Sequence, residues 1–359
     1  MKFLTEYRDP ELVKFYLKEI EKIATKPWNI MEMCGGQTHS LVKNGLLGLL
    51  PKNVRMIHGP GCPVCVTPIS LIDKAVLLME KGVILCSFGD MVRVPGSTKS
   101  LLDAKAQGGD LRILYSPLEA VKIAEQNPDK EVVFFAVGFE TTAPSNALSV
   151  VHAQKLNLKN FSLLVSHVLA IPAMESILDD ELCNIQAFLG PGHVCTIMGL
   201  ADYHPLAERY RIPIVIAGFE PVDLLRAIYH TVSQLEKAEY KVENCYERLV
   251  KEEGNLRAKE VLNNIFEIGD QEWRGMGVIP NSGMIMKEQF WMFDASRKFD
   301  IETQQPEQQS HCIVGEILRG LKKPFECPEF AKGCNPTHPH GAPMVSSEGA
   351  CAAYYHYSR

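Results

Sequence analysis

The sequence contains no apolar run that approaches the roughly 18 to 20 residues needed for a membrane-spanning helix. Its strongest apolar run, residues 132–139, has the length of a strand. The N-terminal region carries charges every few residues and has no continuous apolar stretch behind a basic start, so a signal peptide is not expected. A cytoplasmic protein without contact to a membrane is therefore predicted.

The chain also has no excess of basic side chains. Lys and Arg number 37 against 43 Asp and Glu, which gives a net charge of -6. Such a protein repels phosphate backbones, so nucleic acid is a poor candidate partner. The sequence has neither a Walker glycine loop nor a Cys-x-x-x-Cys-x-x-Cys motif, and it therefore gives no support to nucleotide hydrolysis or radical chemistry.

Apolar residues and cysteine, in contrast, are abundant. With 359 residues, 46% apolar and 22% charged, the chain has the composition of a globular protein long enough for two or three domains. Its 11 cysteines are not expected to form a disulfide framework, because cytosolic reductants keep thiols reduced. Metal binding or redox chemistry is the favoured interpretation.

Short apolar runs recur along the first 220 residues and predict buried strands of parallel sheets. The first group comprises residues 28–33, 54–57, 83–86 and 111–115, and the second comprises residues 132–137, 161–165, 194–198 and 212–217. The spacing leaves room for one crossover helix between successive strands. The predicted fold is α/β, with two consecutive Rossmann-like parallel-sheet modules.

After residue 220 the apolar pattern becomes helical, and the end of the chain is rich in Gln, Pro, Gly and Cys with little periodicity. This predicts a mixed, mainly helical domain with an irregular Cys-rich C-terminal iron–sulfur region. The predicted parts are an N-terminal helix packing with the C-terminal domain (1–27), α/β domain I (28–120), α/β domain II (121–220), and a helical and cluster-binding domain III (221–359).

Four cysteines lie in the irregular tail, with 14, 6 and 16 residues between them: Cys312, Cys327, Cys334 and Cys351. Four thiolates on a glycine-rich backbone are what a 4Fe-4S cluster requires, since each iron takes one soft sulfur ligand. Zinc modules usually carry two short Cys-x-x-Cys knuckles, and the tail has none. A cluster is favoured, and the alternatives are a zinc site and unrelated buried cysteines.

Residues 59–65, with the sequence GPGCPVC, follow a predicted strand and precede a predicted helix. A Cys-x-x-Cys pair at a helix N-terminus has lowered thiol pKa values, because the unpaired N–H groups and the helix dipole favour the thiolate. Cys62 and Cys65 can therefore form a reversible disulfide or bind a metal. The alternative is a tight turn whose cysteines only fill space.

Residues 34–39, with the sequence CGGQTH, follow the first predicted strand. In open α/β sheets the carboxyl ends of strands line the ligand crevice, so Cys34 and His39 are expected beside Cys62 and Cys65. The glycines let the backbone approach a ligand closely, and His39 can ligate a metal or transfer protons. A structural role in a glycine turn is the alternative.

Together, these motifs resemble the HypD family of hydrogenase maturation factors. Further similar segments are residues 138–142 (GFETT), 192–194 (GHV), 217–221 (AGFEP), 277–283 (GVIPNSG) and 345–351 (VSSEGAC). The resemblance extends over nearly the whole chain. Two residues depart from the family pattern: Gln37 stands where many members have histidine, and Cys195 stands where serine is expected.

The resemblance implies an assembly scaffold rather than a turnover enzyme, on which an iron atom receives one carbon monoxide and two cyanide ligands before delivery to the large subunit of a nickel–iron hydrogenase. The implied partners are the chaperone HypC and the cyanide donor HypE. Cys34 would be the principal iron ligand, shared with a cysteine of HypC, and Cys62 and Cys65 would be a redox or iron-binding pair. The four tail cysteines would hold the 4Fe-4S cluster.

Two other functions fit part of the pattern. An iron–sulfur thiol-disulfide oxidoreductase would use the cluster and the dithiol to reduce a protein disulfide, and it would not need Cys34. A zinc-stabilised small-molecule binding protein would have no redox role, and it would be colourless where a 4Fe-4S protein is brown.

Overall fold

The computed structural model describes residues 5–301 and 312–357. The strands in this part of the chain are β1 (Trp28–Glu32), β2 (Val54–His58), β3 (Ile84–Ser87), β4 (Leu111–Ile113), β5 (Val132–Gly138), β6 (Phe161–Val168), β7 (Ala187–Pro191), β8 (Ile214–Ala217), β9 (Val242–Asn244), β10 (Phe266–Trp273) and β11 (Gly277–Met286).

The helices before residue 190 are α1 (Pro10–Ile23), α2 (Gly35–Lys43), α3 (Leu46–Leu49), α4 (Pro63–Val66), α5 (Ile69–Glu80), α6 (Leu101–Ala106), α7 (Pro117–Gln126), α8 (Ala143–Lys155) and α9 (Ala170–Leu178). Those after it are α10 (Gly192–Met198), α11 (Tyr203–Tyr210), α12 (Pro221–Lys237), α13 (Leu256–Ile265), α14 (Ala295–Lys298), α15 (Val314–Leu318) and α16 (Ala350–Tyr357). Short 3-10 helices occupy Glu6–Arg8, Gly89–Arg93, Glu288–Phe293, Pro324–Glu326 and Ala342–Met344.

The strands form two sheets, as expected for an α/β fold. Sheet A is parallel throughout, with the order β2-β1-β7-β8-β9. Sheet B has the order β10-β11-β6-β5-β3-β4 and is mixed, because β10 and β11 run antiparallel to their neighbours. Every residue of β5 is buried, which is why its sequence is an unbroken apolar run.

The order of the strands along the chain differs from the expected consecutive modules, and this expectation was wrong. The chain builds β1 and β2 in sheet A, moves to sheet B for β3 to β6, and returns to sheet A for β7 to β9. An apolar run specifies a buried strand but not the neighbour with which it pairs, so the sequence could not show this crossing. Where the chain divides into domains stays a prediction.

The strand predicted at residues 194–198 was also wrong, because these residues lie in α10. The strand of this region is β7, which ends at Pro191, next to Gly192. Only Gly192, Val194 and Cys195 of α10 are buried, a one-sided pattern that suits a helix better than a strand covered on both faces. The β10–β11 hairpin, which was not predicted, lies at the edge of sheet B with much of its surface exposed.

The predicted N-terminal helix is confirmed. The Asp9 side chain accepts a hydrogen bond from the backbone nitrogen of Glu11 at 2.8 Å and caps α1. Ile20 of α1 is buried in the apolar cluster that α12 shares with sheet A. Within residues 5–301 and 312–357, no helix has both the length and the apolar character required to cross a membrane.

Candidate metal and thiol site

The two cysteine motifs near the N-terminus follow adjacent strands of sheet A. Strands β1 and β2 pair in parallel with Glu32 opposite His58, so both strands end at the same edge. Cys34 then caps α2 and Cys62 caps α4, each one turn beyond its strand. The expected meeting of the two motifs at carboxyl strand ends is therefore present in the fold.

The backbones of the two motifs are in direct contact at Gly61. The Gly35 N–H donates to the carbonyl oxygen of Gly61 at 3.0 Å. A Cβ atom at Gly61 would stand 2.4 Å from the backbone nitrogen of Cys34, a distance that no side chain could tolerate. Glycine is therefore required here so that the Cys62 loop can lie against Cys34. We call the site formed by Cys34, Cys62 and Cys65 the front crevice.

Cys62 and Cys65 form a disulfide, with their Cα atoms 5.3 Å apart. Cys62 is 4% exposed and Cys65 is 1% exposed. Cys62 is the N-cap of α4, and Cys65 lies within this single helical turn. The sequence predicted only the helix that follows Cys65, which is α5, so the separate turn α4 was not expected. Burial and the shortness of α4 leave little helix dipole to act on these sulfurs, which weakens the argument from the dipole.

Cys34 is a free thiol with 8% of its surface exposed. Burial raises its pKa to about 12, and the nearby Glu348 carboxyl adds to the effect. The thiol therefore keeps its proton at neutral pH. Its backbone N–H donates to Glu32 Oε2 at 3.0 Å, which fixes the residue relative to the end of β1.

Glu32 is the centre of a buried polar network beneath the front crevice that the sequence reasoning missed. Its carboxyl group is fully buried, hydrogen-bonds the Thr38 hydroxyl, and lies 2.8 Å from His58 Nδ1. His58 Nε2 is in turn 3.1 Å from the hydroxyl of Tyr354. Burial raises the pKa of Glu32, opposed by its hydrogen bond to His58. The available signal was a charged residue closing an otherwise apolar strand.

The C-terminal segment covers the front crevice. His39 Nδ1 lies 2.9 Å from the carbonyl oxygen of Ser347, and because a carbonyl only accepts, Nδ1 is the protonated nitrogen. Glu348 packs on Gly35, where an added Cβ would meet the Glu348 Cβ at 2.6 Å. Burial raises the pKa of Glu348, and the charge of Asp90 raises it further. This segment was recognised in the sequence, but its place over Cys34 was not.

Gln37, the departure from the family pattern, joins the crevice to the rest of sheet A. Its side-chain nitrogen donates to the carbonyl oxygens of Gly190 at 3.0 Å and Ala217 at 3.1 Å, at the ends of β7 and β8. The amide is fully buried. It therefore acts as a cross-link between strand ends, for which an amide with two N–H donors is well suited.

A cleft of about 430 Å³ opens beside the CGGQTH motif. Gly36 and His39 line one side, and Phe219 lines the other. His193 stacks on Phe219, with the ring centroids 3.8 Å apart. The cleft reaches Gly36, which lies two residues after Cys34 in the chain.

The four tail cysteines lie close enough to affect one another electrostatically. Burial raises the pKa of Cys351 well above its usual value, and the charges of Cys312, Cys334 and Cys327 each raise it further. The Cys334 sulfur accepts a hydrogen bond from the backbone nitrogen of His340 at 3.3 Å. At Gly341, an added Cβ would stand 2.5 Å from the sulfur of Cys312. We call these four residues the tail quartet.

No three sulfurs of the tail quartet lie within 4.8 Å of one another in the described part of the chain. In the described part of the chain, three ligand atoms lie within 4.8 Å of one another only at His230, Glu243 and Cys245. Tetrahedral zinc with Zn–S bonds of about 2.3 Å would bring its sulfur ligands to roughly 3.8 Å from one another.

Comparison with known proteins gives one consistent result. The HypD family model, described as the hydrogenase formation hypA family, matches residues 11–358. The chain is 49% identical to hydrogenase maturation factor HypD2 of Bradyrhizobium diazoefficiens, with 100% of this chain and 97% of the relative covered. It is 45% identical to hydrogenase maturation factor HypD of Escherichia coli, with 99% and 98% covered.

Proposed function

Because the chain belongs to the HypD family, we propose that it is a scaffold for hydrogenase maturation, on which iron receives one carbon monoxide and two cyanide ligands. The iron is cargo for the large subunit of a nickel–iron hydrogenase. The proposal rests above all on the contact between Gly61 and Cys34, which brings three sulfurs to one edge of sheet A. Thiolates donate strongly to low-valent iron and so favour ligands that accept electrons, such as carbon monoxide.

In this proposal Cys34 is the principal iron ligand. Its thiol is protonated at rest, and the incoming iron displaces that proton. His39 holds its own proton on Nδ1 toward Ser347, which leaves Nε2 with a lone pair that can accept a proton or ligate. Glu32 holds the Cys34 backbone in place through the bond at 3.0 Å.

The cleft beside Gly36 supports binding of a partner cysteine in the HypC chaperone. It is lined by Gly36, two residues after Cys34, and by His39 and Phe219, and it is about 430 Å³ in volume. A flexible chain end carrying one thiol fits an opening of this kind better than a folded domain does. HypE, the implied cyanide donor, would act on the complex of this chain with HypC.

The tail quartet fits a 4Fe-4S cluster in donor chemistry, because it offers four soft sulfurs, all sharing one electrostatic environment. Cys312, Cys327, Cys334 and Cys351 would hold it. When bound, such a cluster supplies electrons one at a time. The Cys62–Cys65 disulfide takes up two electrons and two protons to give two thiols, and both are then available to iron.

The rival oxidoreductase function is less well supported. A thiol-disulfide exchange enzyme must present one sulfur to the disulfide of its partner, because exchange proceeds by direct attack of a thiolate. Cys62 and Cys65 are 4% and 1% exposed, beneath the covering C-terminal segment. The zinc-stabilised binding protein is less well supported by the spacing of the tail sulfurs.

The test is the variant Cys34→Ala, purified without oxygen in complex with HypC. Infrared bands from cyanide and carbonyl on iron are expected in the wild-type complex and absent from the variant, while the brown cluster absorption persists in both. Cys183→Ala is the matched control, because Cys183 is a free cysteine in a loop and belongs to neither sulfur site. Loss of the infrared bands and the colour together in Cys34→Ala would contradict the division into two sites.

A further inference from the structure

Arg274 occupies the turn of the β10–β11 hairpin, between the two sulfur sites. Its backbone N–H donates to the carbonyl oxygen of Val66 at 2.8 Å, and Val66 directly follows Cys65. On the other side, Gly275 has φ +80 and packs against Gly315, where an added Cβ would meet the carbonyl oxygen of Gly275 at 2.2 Å. Gly315 lies three residues after Cys312, so the hairpin turn is held against both the dithiol loop and the tail.

The guanidinium group of Arg274 is only partly satisfied. The residue is 8% exposed, and Nη2 donates to the carbonyl oxygen of Pro95 at 2.9 Å. Nη1 is buried and has no hydrogen-bond partner among the residues that the structure describes. Burial lowers the pKa of Arg274 to about 10, so the group keeps its charge at neutral pH.

Among the residues that the structure describes, Cys312 and Asp73 lie within electrostatic reach of this buried charge. Asp73 is already used by Ser97, whose backbone nitrogen donates to it at 2.8 Å and whose hydroxyl donates to it at 2.5 Å. Cys312 belongs to the tail quartet, and Gly315, three residues after it, packs on Gly275 next to Arg274. A buried charge with a free N–H is costly without a negative neighbour, and the tail sulfurs would supply one as thiolates of a bound cluster.

We propose that Arg274 is the fixed positive charge that sets the reduction potential of the centre held by the tail quartet. The inference rests on the proposed function, since it requires a redox centre on these sulfurs. Reduction adds one electron and breaks no bond, so the reduced centre carries one more negative charge than the oxidised centre. A nearby guanidinium stabilises the more negative state, and its free Nη1 is suited to donate to a sulfur. The reduction potential is therefore higher with Arg274 than without it.

The test uses the full chain with its cluster reconstituted, and two substitutions. Arg274→Met keeps an unbranched, though shorter, apolar side chain and removes the charge, and Arg274→Lys keeps the charge. Iron and sulfide content establish that the cluster is present, circular dichroism establishes the fold, and a titration with dithionite followed by visible absorption gives the midpoint potential. Arg93→Met is the control, because Arg93 also donates to the tail, at Pro336 O, but is exposed to water.

In Arg274→Met the ratio of reduced to oxidised cluster at a given potential is expected to fall about tenfold, equal to about 59 mV for a one-electron couple. Arg274→Lys should keep most of the wild-type value, and Arg93→Met should not move it. A folded Arg274→Met that loses its cluster, while Arg274→Lys keeps it, also supports the need for the charge.

Three results would overturn the inference. An intact cluster with the wild-type midpoint potential in Arg274→Met would show that the charge of Arg274 does not affect the reduction potential. Equal loss of cluster in the lysine and methionine variants would assign Arg274 a role in shape alone. Absence of a four-iron cluster from the wild-type chain would overturn this inference and the cluster assignment in the proposed function. The infrared bands of cyanide and carbonyl on iron at Cys34 would still test the scaffold function separately.

Discussion

Cys34, Cys62 and Cys65 lie just beyond the ends of paired strands, whereas Cys312, Cys327 and Cys334 lie in irregular segments outside the helices and named strands. Strand β1 pairs with both β2 and β7, so the front crevice is positioned by the ladder of sheet A. The regular structure next to the tail quartet is limited to short helical segments, the helix α16 and a single bridge between Phe330 and Cys334.

The two sites therefore differ in how far their structure depends on a bound ligand. Backbone pairing fixes the front crevice whether or not iron is bound, and burial of Glu32 and Gln37 reinforces it. In the tail quartet, burial and the neighbouring thiols raise the pKa of Cys312, Cys334 and Cys351, so these thiols stay protonated unless a cation or cluster binds them. We therefore expect the tail quartet to be organised by what it binds and the front crevice to organise what it binds.

The largest expected effect comes from removing one ligand of the tail quartet. Cys351→Ala should abolish cluster binding, because three remaining thiolates leave one iron without a protein ligand. Iron and sulfide analysis should fall to background, and trypsin should cleave the tail at Lys332 faster than in the wild type. The front crevice should be unchanged, as counted by two thiols released from Cys62 and Cys65 on reduction. Full iron content in Cys351→Ala would contradict the predicted dependence on the ligand.

A smaller effect is expected from adding a side chain at the front crevice. Gly61→Ala forces a Cβ to within 2.4 Å of the Cys34 backbone nitrogen, where both neighbours are backbone and cannot move aside. Overpacking of this kind should lower the free energy of unfolding by about 3 kcal/mol, measured by urea denaturation. Gly48→Ala is the matched control, since a Cβ there meets nothing within 4 Å and should leave stability unchanged. Equal urea midpoints for Gly61→Ala and Gly48→Ala would show that the Cys34 and Cys62 motifs are not in close contact.

The smallest expected effect is the pH dependence of iron affinity, which reports how many thiols of the front crevice bind the metal. Because the pKa of Cys34 is about 12, the thiol is protonated across pH 6 to 8, and each iron that binds it releases a proton. Affinity for Fe²⁺ should therefore rise about tenfold for each pH unit, or about 1.4 kcal/mol, while Cys62 and Cys65 stay oxidised. Prior reduction should steepen the dependence if both thiols join. Anaerobic iron titration measures it, and an affinity independent of pH would exclude thiolate ligation.

Much of the fold was predictable, because burial of a strand leaves a direct mark on the sequence. Eight strands were predicted, and all except that at residues 194–198 correspond to observed strands. The error arose because Val194 to Met198 has the composition of a strand, while the turn at Pro191 and Gly192 had already ended β7. The half-exposed strands β10 and β11 gave no continuous apolar signal.

The candidate site was predictable in its residue types and not in its surroundings. The motifs around Cys34 and Cys62 indicated an edge of a sheet, and the register of β1 and β2 agrees. Glu348 and Tyr354 lie near Cys34 and His58 only because the end of the chain folds back over the crevice. No local pattern reports a contact across some 300 positions of sequence, as between Tyr354 and His58.

One repeated tripeptide shows how the same local sequence can lie in two different tertiary environments. Gly-Phe-Glu ends the strand region at residues 138–140 and again at residues 218–220. Glu140 is buried, accepts a hydrogen bond from the Ala170 backbone at 3.0 Å, and has its pKa raised by burial to about 7. Glu220 accepts a hydrogen bond from Arg8 Nη2 at 2.7 Å, which lowers its pKa.

The sequence by itself determined where strands end and which chemical groups follow them, because apolar runs, glycines and cysteines act through local backbone and side-chain chemistry. Only the tertiary structure decided which strands pair, which tail segment covers Cys34, and whether a given carboxyl group meets an arginine or an apolar wall. These outcomes depend on partners far away in the chain, and the free energy of each contact is set by both partners together.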